Sequence, residues 1–473
     1  MVPPNDSPAE ARKGKTMFAQ LVSTIDSFLW GWPLIILLFG THIFMTIRTG
    51  FIQKDIFKAI KMSVTADEGS EGDVSQFGAL TTALSSTIGT GNIIGVGTVI
   101  AIGGPGAVLW TWIGGLFGIA TKYAESFIAV KYRKKDADGA YVGGAMTAFE
   151  HLGKPLMGKI FAWCCALGAF GIGCSSQSKS LVDIMHNTFN TNNVVVALVV
   201  CALTALVVFG GVKSIARVCE RLVPFMSIVY VLGCIIILFI NIRYMPATIS
   251  LIISSAFTFK AAAGGFVGSS IISAARAGIA RGLFSNEAGM GSAPQASAAS
   301  VAANAVKPAL VGSTGVFWDT VVVCLMTGLV IVSSIIGNPD ISCILADGSI
   351  ISGSGLVSAC FGQIPYIGKP LLTFGILTFA YSTILGWSYY GENCIRYLFG
   401  KKMIRYYQAL WIIVIFVGAI VSEGAVWTLA DILNAAMCIP NVIAVLLLRD
   451  QIAKETRYYL YEDHLEEIDP SLQ

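Results

Sequence analysis

The sequence has few charged residues. Asp, Glu, Lys and Arg make up 12% of its 473 residues, whereas soluble proteins carry roughly 25%. The mean hydropathy, +0.72, is correspondingly high. This composition excludes an intrinsically disordered chain and an ordinary soluble enzyme. A net charge of +3 is too small to indicate a nucleic-acid partner, which needs Lys and Arg clustered on one face.

Motifs for covalent or metal chemistry are also missing. The sequence contains no GxxxxGK[ST] loop, so ATP is not the predicted energy source. Its four histidines are scattered, and neither a Ser/His/Asp set nor a metal-ligand spacing is present. Most of the eleven cysteines lie in apolar runs, although Cys343 and Cys360 share one loop and are a candidate disulfide. We therefore predict neither an enzyme nor a resident cofactor.

Long apolar segments are what the sequence does contain. A helix needs about 20 apolar residues to cross a bilayer. Eleven segments approach that length and predict an all-α membrane protein with eleven transmembrane helices, at 30–47, 77–102, 107–130, 160–185, 194–212, 218–242, 264–300, 309–336, 370–390, 406–421 and 425–448. The polar start lacks the layout of a cleavable signal peptide.

Basic residues predict the orientation, because Lys and Arg are retained on the cytoplasmic side. They are concentrated in alternate loops, and none lies in 103–106 or 337–368. With an odd number of spans, this pattern places the C-terminus in the cytoplasm and the N-terminus outside. Arg12, Lys13 and Lys15 lie on the predicted outer side, contrary to this rule, but the basic residues of the later cytoplasmic loops outnumber them. The predicted location is the cell (inner) membrane.

Two predicted spans are interrupted near their centres by small residues. The interruptions are 85–92 (SSTIGTGN) in the second span and 284–292 (FSNEAGMGS) in the seventh. Each interrupted span therefore begins a run of five, and the second run enters the membrane from the opposite side. This pattern predicts a five-plus-five inverted repeat with one extra N-terminal helix, and it is typical of transporters that bind substrate at mid-membrane. The predicted segments are a polar start (1–29), a peripheral transmembrane helix (30–50), two repeats (76–242 and 264–448) and a cytoplasmic tail (449–473).

Interrupting a helix in lipid exposes N–H and C=O groups that need partners. A bound solute and ion can supply them, because a half-helix N-terminus attracts a carboxylate and freed carbonyls coordinate a cation. The alternative is that the glycines only let helices pack closely. That alternative is weaker where the breaks also carry Asn92, Asn286 and Glu287.

Three blocks of sequence carry a family resemblance. They are ALSSTIGTGNIIGVGTVIAIGGPGAVLW with ATKYAESFIAVKYR in 79–133, SNEAGMGSAPQASAA in 285–299, and FAYSTILGWSYYGEN in 379–393. The sequence resembles the alanine or glycine:cation symporter family over nearly its whole length. The resemblance implies a LeuT-like fold of the amino acid–polyamine–organocation superfamily and uptake of small amino acids driven by sodium or protons.

Within that framework the residues receive roles. The N–H groups near Thr90 and Gly91 would hold the substrate carboxylate, and Asn92 would orient the site. The complete predicted substrate set is Thr90, Gly91, Asn92, Gln177, Phe284, Met290, Gly291, Thr383 and Trp387. The predicted Na⁺ cage consists of the carbonyls of Ser85 and Ile88 and the hydroxyls of Ser382 and Thr383, since hard cations prefer oxygen ligands.

Each role has a structural alternative. Ser382 and Thr383 could bond back to their own helix. Trp387 could be an interfacial anchor, and Gln177 could make only an interhelical hydrogen bond. Glu287 is interpreted as a structural charge that accepts backbone N–H bonds or pairs with Arg281, rather than as a coupling group.

Other ionisable residues inside predicted spans are expected to pair with one another, because unpaired charges in a membrane are unfavourable. We expect Asp319 to pair with Arg276, and Lys122 to pair with Glu125 one turn away.

The predicted function is Na⁺-coupled symport of small neutral amino acids, namely alanine and glycine with serine as a further candidate. The expected partners are that amino acid, Na⁺ and the lipid bilayer. An H⁺-coupled symporter of the same or another small amino acid, such as glutamine, is the alternative. A channel is less favoured, since no ring of charge is visible.

Overall fold

A computed structural model of the protein describes residues 20–65, 72–258, 265–266, 270–345, 347–421 and 425–472, with side chains from 430 onward in the last range. Within these ranges nearly all regular structure is helical, and one short antiparallel ribbon pairs Lys134–Lys135 (β1) with Tyr141–Val142 (β2). The α-helices are α1 Trp32–Arg48, α2 Ile56–Ser63, α3 Gln76–Thr87, α4 Val96–Gly103, α5 Gly106–Lys131, α6 Ala145–His151, α7 Pro155–Ala169, α8 Ser176–Phe189, α9 Asn193–Val208, α10 Val212–Ile240, α11 Met245–Phe257, α12 Ile271–Asn286, α13 Pro294–Ala298, α14 Val306–Val316, α15 Leu325–Gly337, α16 Gly353–Phe361, α17 Gly368–Phe399, α18 Ile404–Ile420, α19 Ala425–Leu447 and α20 Arg449–Thr456.

Several helices are long and apolar enough to cross a membrane, so the chain is a multi-pass membrane protein. Among the described residues seven helices meet this description, or eight when a bent pair is taken as one span. They are Gln20–Arg48, Pro155–Phe189, Val212–Ile240, Val306–Gly337, Gly368–Phe399, Lys401–Ile420 and Ala430–Leu447, together with the pair α3 and α4. The predicted count of eleven is therefore not reached by length and composition.

The N-terminal end and several loops differ from the prediction. A helical segment at 20–29 precedes α1, so helical structure is already present at the first described residue, ten positions before the predicted start, and Leu21, Ile25 and Phe28 make this segment apolar. Residues 1–19, with Arg12, Lys13 and Lys15, lie outside the described part. Helices α2, α6, α11 and α16 occupy segments that were predicted as loops.

The C-terminal segment 449–473, predicted as a tail, is folded onto the body through residue 472. Lys131 at the end of α5 pairs with Glu455 at 2.8 Å and with Asp469 at 2.6 Å. The amide of Asn304 donates to two main-chain carbonyls of the same segment. The tail is thus attached to the loop that follows α13.

Cys343 and Cys360 do not form the candidate disulfide. Both are free thiols, and both are buried. Cys360 lies on α16, one of the helices that the sequence did not predict.

The interruption in the second predicted span lies between α3 and α4. Helix α3 ends at Thr87, where Ile88 takes an extended conformation, and the two helices meet at 53°. Residues Gly91–Gly95 form a wide π-type turn before α4 begins. The bend brings the start of the second half-helix into the interior.

The interruption in the seventh predicted span has a different conformation. Helix α12 ends at Asn286, and the chain then turns through left-handed conformations at Glu287 (φ 54°), Gly289 (φ 91°) and Gly291 (φ 77°) before α13. Such φ angles favour glycine, because a Cβ atom is strained there. The predicted start of this span, residue 264, lies outside the described residues.

Close helix packing accounts for other glycines. Helix α12 lies against α5, where a Cβ atom on Gly278 would collide with the carbonyl of Ala107, and one on Gly282 would lie 3.0 Å from the carbonyl of Thr111. The Thr111 hydroxyl donates to the Gly278 carbonyl at 2.9 Å. Small residues four apart thus let two membrane helices approach closely, as the packing alternative predicted.

Candidate functional site

The two interrupted spans meet α8 and α17 around a small central cavity of about 30 Å³. Six of the nine predicted substrate residues line it, namely Gly91, Gln177, Phe284, Met290, Thr383 and Trp387. The remaining lining residues were not predicted as substrate contacts, and they are Ser86, Thr87, Gly89, Ile172, Ser285 and Glu287. The roles of the six predicted lining residues in substrate binding stay predictions.

Aromatic and amide side chains define the walls of this cavity. Trp387 is buried and contacts the Tyr390 ring edge-on at 5.7 Å, and Gly173 provides the space behind its indole. Gln177 accepts a hydrogen bond from the Thr90 hydroxyl at 3.1 Å. Trp387 is therefore an interior residue, and the interfacial alternative does not apply to it.

Asn92, predicted to orient the substrate, does not line the cavity. Its Oδ1 accepts the Gly89 N–H at 3.0 Å, and its Nδ2 donates to Asp319 Oδ1 at 2.6 Å. The side chain thus closes the first break from within and ties it to the turn after α14. The geometry makes Asn92 a brace, because an amide can satisfy a freed backbone group where no water is present.

Asp319 joins the two breaks. Its Oδ1 also accepts the Ser285 hydroxyl at 3.2 Å, and its Oδ2 accepts the Thr320 hydroxyl at 2.6 Å. The predicted pairing with Arg276 is wrong, since no ion pair among the described residues joins the two. Asp319 is fully buried, so these hydrogen bonds replace the solvent that its carboxylate would otherwise need.

A separate network holds the second break. Lys122 Nζ donates to the Glu287 carbonyl at 2.9 Å, and Glu125 Oε1 accepts the Gly291 N–H at 3.1 Å. Asn441 of α19 donates both to Glu125 and, at 2.9 Å, to the Gly289 carbonyl. The N–H of Gly291 is therefore already bonded to protein, and Gly291 does not line the cavity as predicted.

Charged residues near the second break are hydrogen-bonded within the protein, and the structural role predicted for Glu287 stays a prediction. Lys122 Nζ lies 4.0 Å from Glu125 Oε2, which agrees with the predicted pairing. Glu287 accepts the Ser292 hydroxyl at 2.5 Å, and its own side chain lines the cavity. Lys122 bonds to the main-chain carbonyl of Glu287, and among the described residues no ion pair joins the Glu287 carboxylate to the predicted Arg281.

The predicted cation residues lie together where α17 passes α3. Ser382 and Thr383 each donate to the Phe379 carbonyl at 2.9 Å, which is the back-bonding alternative. A hydroxyl that donates its proton still has lone pairs for another partner. The Ser85 hydroxyl donates to the Thr82 carbonyl. A Cβ atom added to Gly386 would lie only 2.6 Å from this hydroxyl, so the close contact between α3 and α17 requires glycine at position 386.

Coordination of Na⁺ by the residues of the predicted cage stays a prediction. A Cβ atom added to Gly89 would lie 2.7 Å from Thr383 Oγ1. The Thr383 hydroxyl is therefore next to the first break. Thr383 also lines the central cavity, whereas Ser85, Ile88 and Ser382 do not.

Sequence reasoning missed Asn441, the bracing role of Asn92 and the hydrogen-bond partners of Asp319. The available signal was a polar side chain inside an apolar span, which needs a partner. Nothing in the sequence indicated the partner, since Asn441 and Glu125 are 316 positions apart.

Together, two interrupted helices that face each other across a central cavity in a multi-pass helical protein define a membrane transporter with a LeuT-like fold. Solved structures share this fold. The structure of MhsT in complex with L-phenylalanine aligns with a TM-score of 0.57 at 16% identity, over 85% of this chain and 96% of that one. A substrate-bound, outward-open Na⁺-coupled sialic acid symporter aligns with a TM-score of 0.53 at 13% identity, over 90% and 86% of the chains.

Sequence comparison defines the family. The model of the sodium:alanine symporter family matches residues 15–472, so the chain belongs to that family. The sodium/alanine symporter AgcS of Methanococcus maripaludis is 44% identical over 93% of this chain and 97% of its own. An uncharacterised transporter of Haemophilus influenzae is 43% identical (93% and 95%), and the probable sodium/glutamine symporter GlnT of Bacillus subtilis is 35% identical (90% and 88%). The protein is a sodium-coupled amino-acid symporter of this family and not an enzyme.

Proposed function

We propose that the protein takes up small neutral amino acids, alanine and glycine first and serine at the upper size limit, together with Na⁺. The observation that carries this proposal is the cavity between the two breaks, which combines a half-helix N-terminus with bulky side chains. The name of the relative AgcS supports alanine as a substrate.

The substrate carboxylate would bind at the start of the second half-helix of the first break. The first N–H groups of a helix have no partner within it, and the helix dipole is positive at that end. Gly91 lies at this position and lines the cavity. Thr90 and Gln177, already bonded to each other, would orient the ammonium and carboxylate groups beside it.

The size of the cavity supports a short side chain. Its volume of about 30 Å³ is far below the roughly 300–1,000 Å³ of typical ligand sites, so binding an amino acid requires movement of the walls. Met290 can move, since an unbranched side chain adapts its rotamers. Trp387 is held against Gly173, and a Cβ there would already collide with the ring. A long or aromatic substrate would therefore be excluded.

Na⁺ would bind beside the substrate, held by the carbonyls of Ser85 and Ile88 and the hydroxyls of Ser382 and Thr383. This set joins the first interrupted span to α17. An ion held between two elements favours the conformation in which they are close, and this preference can couple its binding to that of the substrate.

The proposed architecture has eleven spans in a five-plus-five inverted repeat behind one N-terminal helix. Helical segments are present at every predicted span, although α5, α9 and the α12–α13 pair do not qualify as spans by length and composition. The basic loops support an outside N-terminus and a cytoplasmic C-terminus. Alternating access would move the interrupted spans against the other helices.

Uptake into proteoliposomes tests the function. An inward Na⁺ gradient should drive saturable accumulation of alanine and glycine, with serine weaker and glutamine or phenylalanine near background. Replacing Na⁺ by choline at fixed pH should abolish accumulation. Uptake that persists in choline and follows a pH gradient would instead indicate proton coupling.

A pair of threonines on α17 tests the ion site. Thr383→Ala removes a predicted Na⁺ ligand and should raise the half-saturating Na⁺ concentration about tenfold, the effect of losing roughly 1.4 kcal/mol. Thr378→Ala is the matched control, because Thr378 is also bonded to its own helix but does not line the cavity. Equal Na⁺ dependence in both variants would remove Thr383 from the cage.

A further inference from the structure

A second and much larger cavity lies at the far end of α17. Its volume is about 620 Å³, within the usual range for ligand sites. It is bounded by the last turns of α17, the start of α18 and the turn between α9 and α10. Neither the substrate nor the ion of the proposed function uses it.

Two buried polar side chains in this cavity each have one atom without a well-formed hydrogen bond. Glu392 and Asn393 line it and are only 7% and 5% exposed. Glu392 Oε1 and Asn393 Nδ2 make no hydrogen bond of normal geometry with the described residues, although Glu392 lies beside Gln408 and Asn393 beside Tyr389. Because an unpaired buried acceptor or donor is unfavourable, the pair indicates a ligand with both a donor and an acceptor.

The basic residues around the cavity differ in whether they are already paired. Arg396 contacts Asp136 and Asp138, and Lys401 pairs with Asp138 at 2.9 Å. The hydrogen bond from Lys401, with that from Arg396, lowers the pKa of Asp138 to about 2, so Asp138 stays ionised, and together with Asp136 it balances the charge of the two basic residues.

Two cations at the rim remain available. Lys402 and Arg405 line the same cavity and make no ion pair with any residue that the structure describes. The cavity therefore combines a buried carboxylate with two free cations at its edge.

The cavity is on the side of α17 that faces away from the substrate site. An α-helix turns about 100° per residue. Glu392 follows Thr383 by nine positions, so the two side chains point in opposite directions. Glu392, on the wall of this second cavity (the crevice), therefore points away from the central cavity.

Its walls continue into the lipid-facing surface. Phe209 and Tyr406 line the crevice, and Tyr406 is 70% exposed. The exposed apolar side chains of Leu206 on α9 and Leu410 on α18 extend the same surface along the two helices. In a multi-pass membrane protein, such a surface contacts acyl chains.

We propose that this crevice binds the headgroup of an aminophospholipid. Its ammonium would donate to Glu392 Oε1, and its phosphate would contact Lys402 and Arg405, with the Asn393 amide donating to a phosphate or ester oxygen. The acyl chains would lie along the apolar surface formed by α9 and α18. A purely anionic headgroup fits less well, because it would face the carboxylate of Glu392.

Lipid retention by the purified full-length protein tests the proposal, with no transport involved. Native mass spectrometry would compare phosphatidylethanolamine, phosphatidylcholine and phosphatidylglycerol with identical acyl chains. We expect about tenfold tighter retention of phosphatidylethanolamine than of phosphatidylcholine, the effect of one hydrogen bond to a charged group. Equal retention of these two, or stronger retention of phosphatidylglycerol, would overturn the proposal.

Variants locate the effect. Glu392→Gln should remove the preference for phosphatidylethanolamine. The double variant Lys402→Ala with Arg405→Ala, at exposed positions that do not endanger folding, should weaken retention of all three lipids about tenfold. Lys58→Ala, an exposed basic residue of α2 outside the crevice, should change nothing. A preference that survives both crevice variants would contradict the assignment.

Discussion

The two interrupted spans reach the same central cavity by different means. The first break is closed mainly by its own residues, since the Asn92 amide accepts the Gly89 N–H three positions earlier. One further partner, Asp319, anchors it from outside. Little else is needed because the chain leaves the helix for only a few residues and turns by 53°.

The second break depends on other helices. Its left-handed turn at Glu287, Gly289 and Gly291 exposes several backbone groups, and these are bonded by Lys122 and Glu125 of α5 and by Asn441 of α19. The first break can therefore move largely as a local unit. The second must carry its supporting helices with it or break buried hydrogen bonds.

Asp319 is the point that the two breaks share. It accepts hydrogen bonds from Asn92 of the first and from Ser285, just before the second. Both breaks thus share one buried carboxylate, through which a movement of one can alter the hydrogen bonds of the other.

Asp319→Ala should have the largest effect, because it removes the partner of both breaks. We expect a loss of about 3 kcal/mol in the free energy of unfolding and loss of alanine uptake. Asp319→Asn keeps one oxygen acceptor and should lie between Asp319→Ala and the wild-type protein. Thermal unfolding in detergent and uptake in proteoliposomes measure both quantities, and wild-type uptake by Asp319→Ala would contradict the shared role.

Gly291→Ala should damage the second break alone. The new Cβ would sit at φ 77° and 2.5 Å from Asn441 Oδ1, so about 1 to 3 kcal/mol of stability and most uptake should be lost. The matched control is Gly40→Ala in α1, where a Cβ meets open space. Similar stability and uptake in the two variants would show that the left-handed turn is dispensable.

Asn92→Ala should have a smaller effect on stability and uptake than Gly291→Ala, because the first break loses one stabilising side chain while its non-helical segment remains short. We expect roughly 1 kcal/mol of destabilisation and a fall in maximal uptake rate with little change in KM. The separate effects on maximal rate and on KM distinguish a bracing role of Asn92 from direct contact with the substrate. A large rise in the KM for alanine at unchanged maximal rate would support direct substrate contact, as the sequence suggested.

Ser285→Ala should have the smallest effect. It removes one neutral donor to Asp319, which keeps Asn92 and Thr320 as partners. A loss of about 1 kcal/mol or less is expected, with uptake reduced no more than about threefold. If Ser285→Ala were as damaging as Asp319→Ala, the second break would be the main user of that carboxylate. Kinetic uptake assays of the two variants in parallel make the comparison.

The positions of both breaks could be predicted from the sequence, because clustered glycines beside Asn or Glu are unfavourable in an unbroken membrane helix. The partners of those breaks could not. Asn92 and Asp319 are 227 positions apart, and polar residues scattered among apolar spans offer many possible pairs. The folded tail escaped prediction for the same reason, since its attachment depends on Lys131 and Asn304 far earlier in the chain.

The predicted substrate residues divide between the cavity wall and its surroundings, and their roles in binding stay predictions. Trp387 and Met290 line the cavity as expected. Asn92 and Gly291 do not, because their polar groups are already bonded within the protein. Periodicity shows which residues share a face, but it does not show which donors and acceptors remain free.

Equilibrium binding of alanine and Na⁺ to the purified protein tests the central claim most directly. If both bind at the first break and α17, Na⁺ must increase the affinity for alanine, and alanine must increase the affinity for Na⁺ by the same factor. That factor should shrink in Thr383→Ala and persist in Thr378→Ala. Alanine binding that is independent of Na⁺ in the wild-type protein would contradict coupled binding at this site.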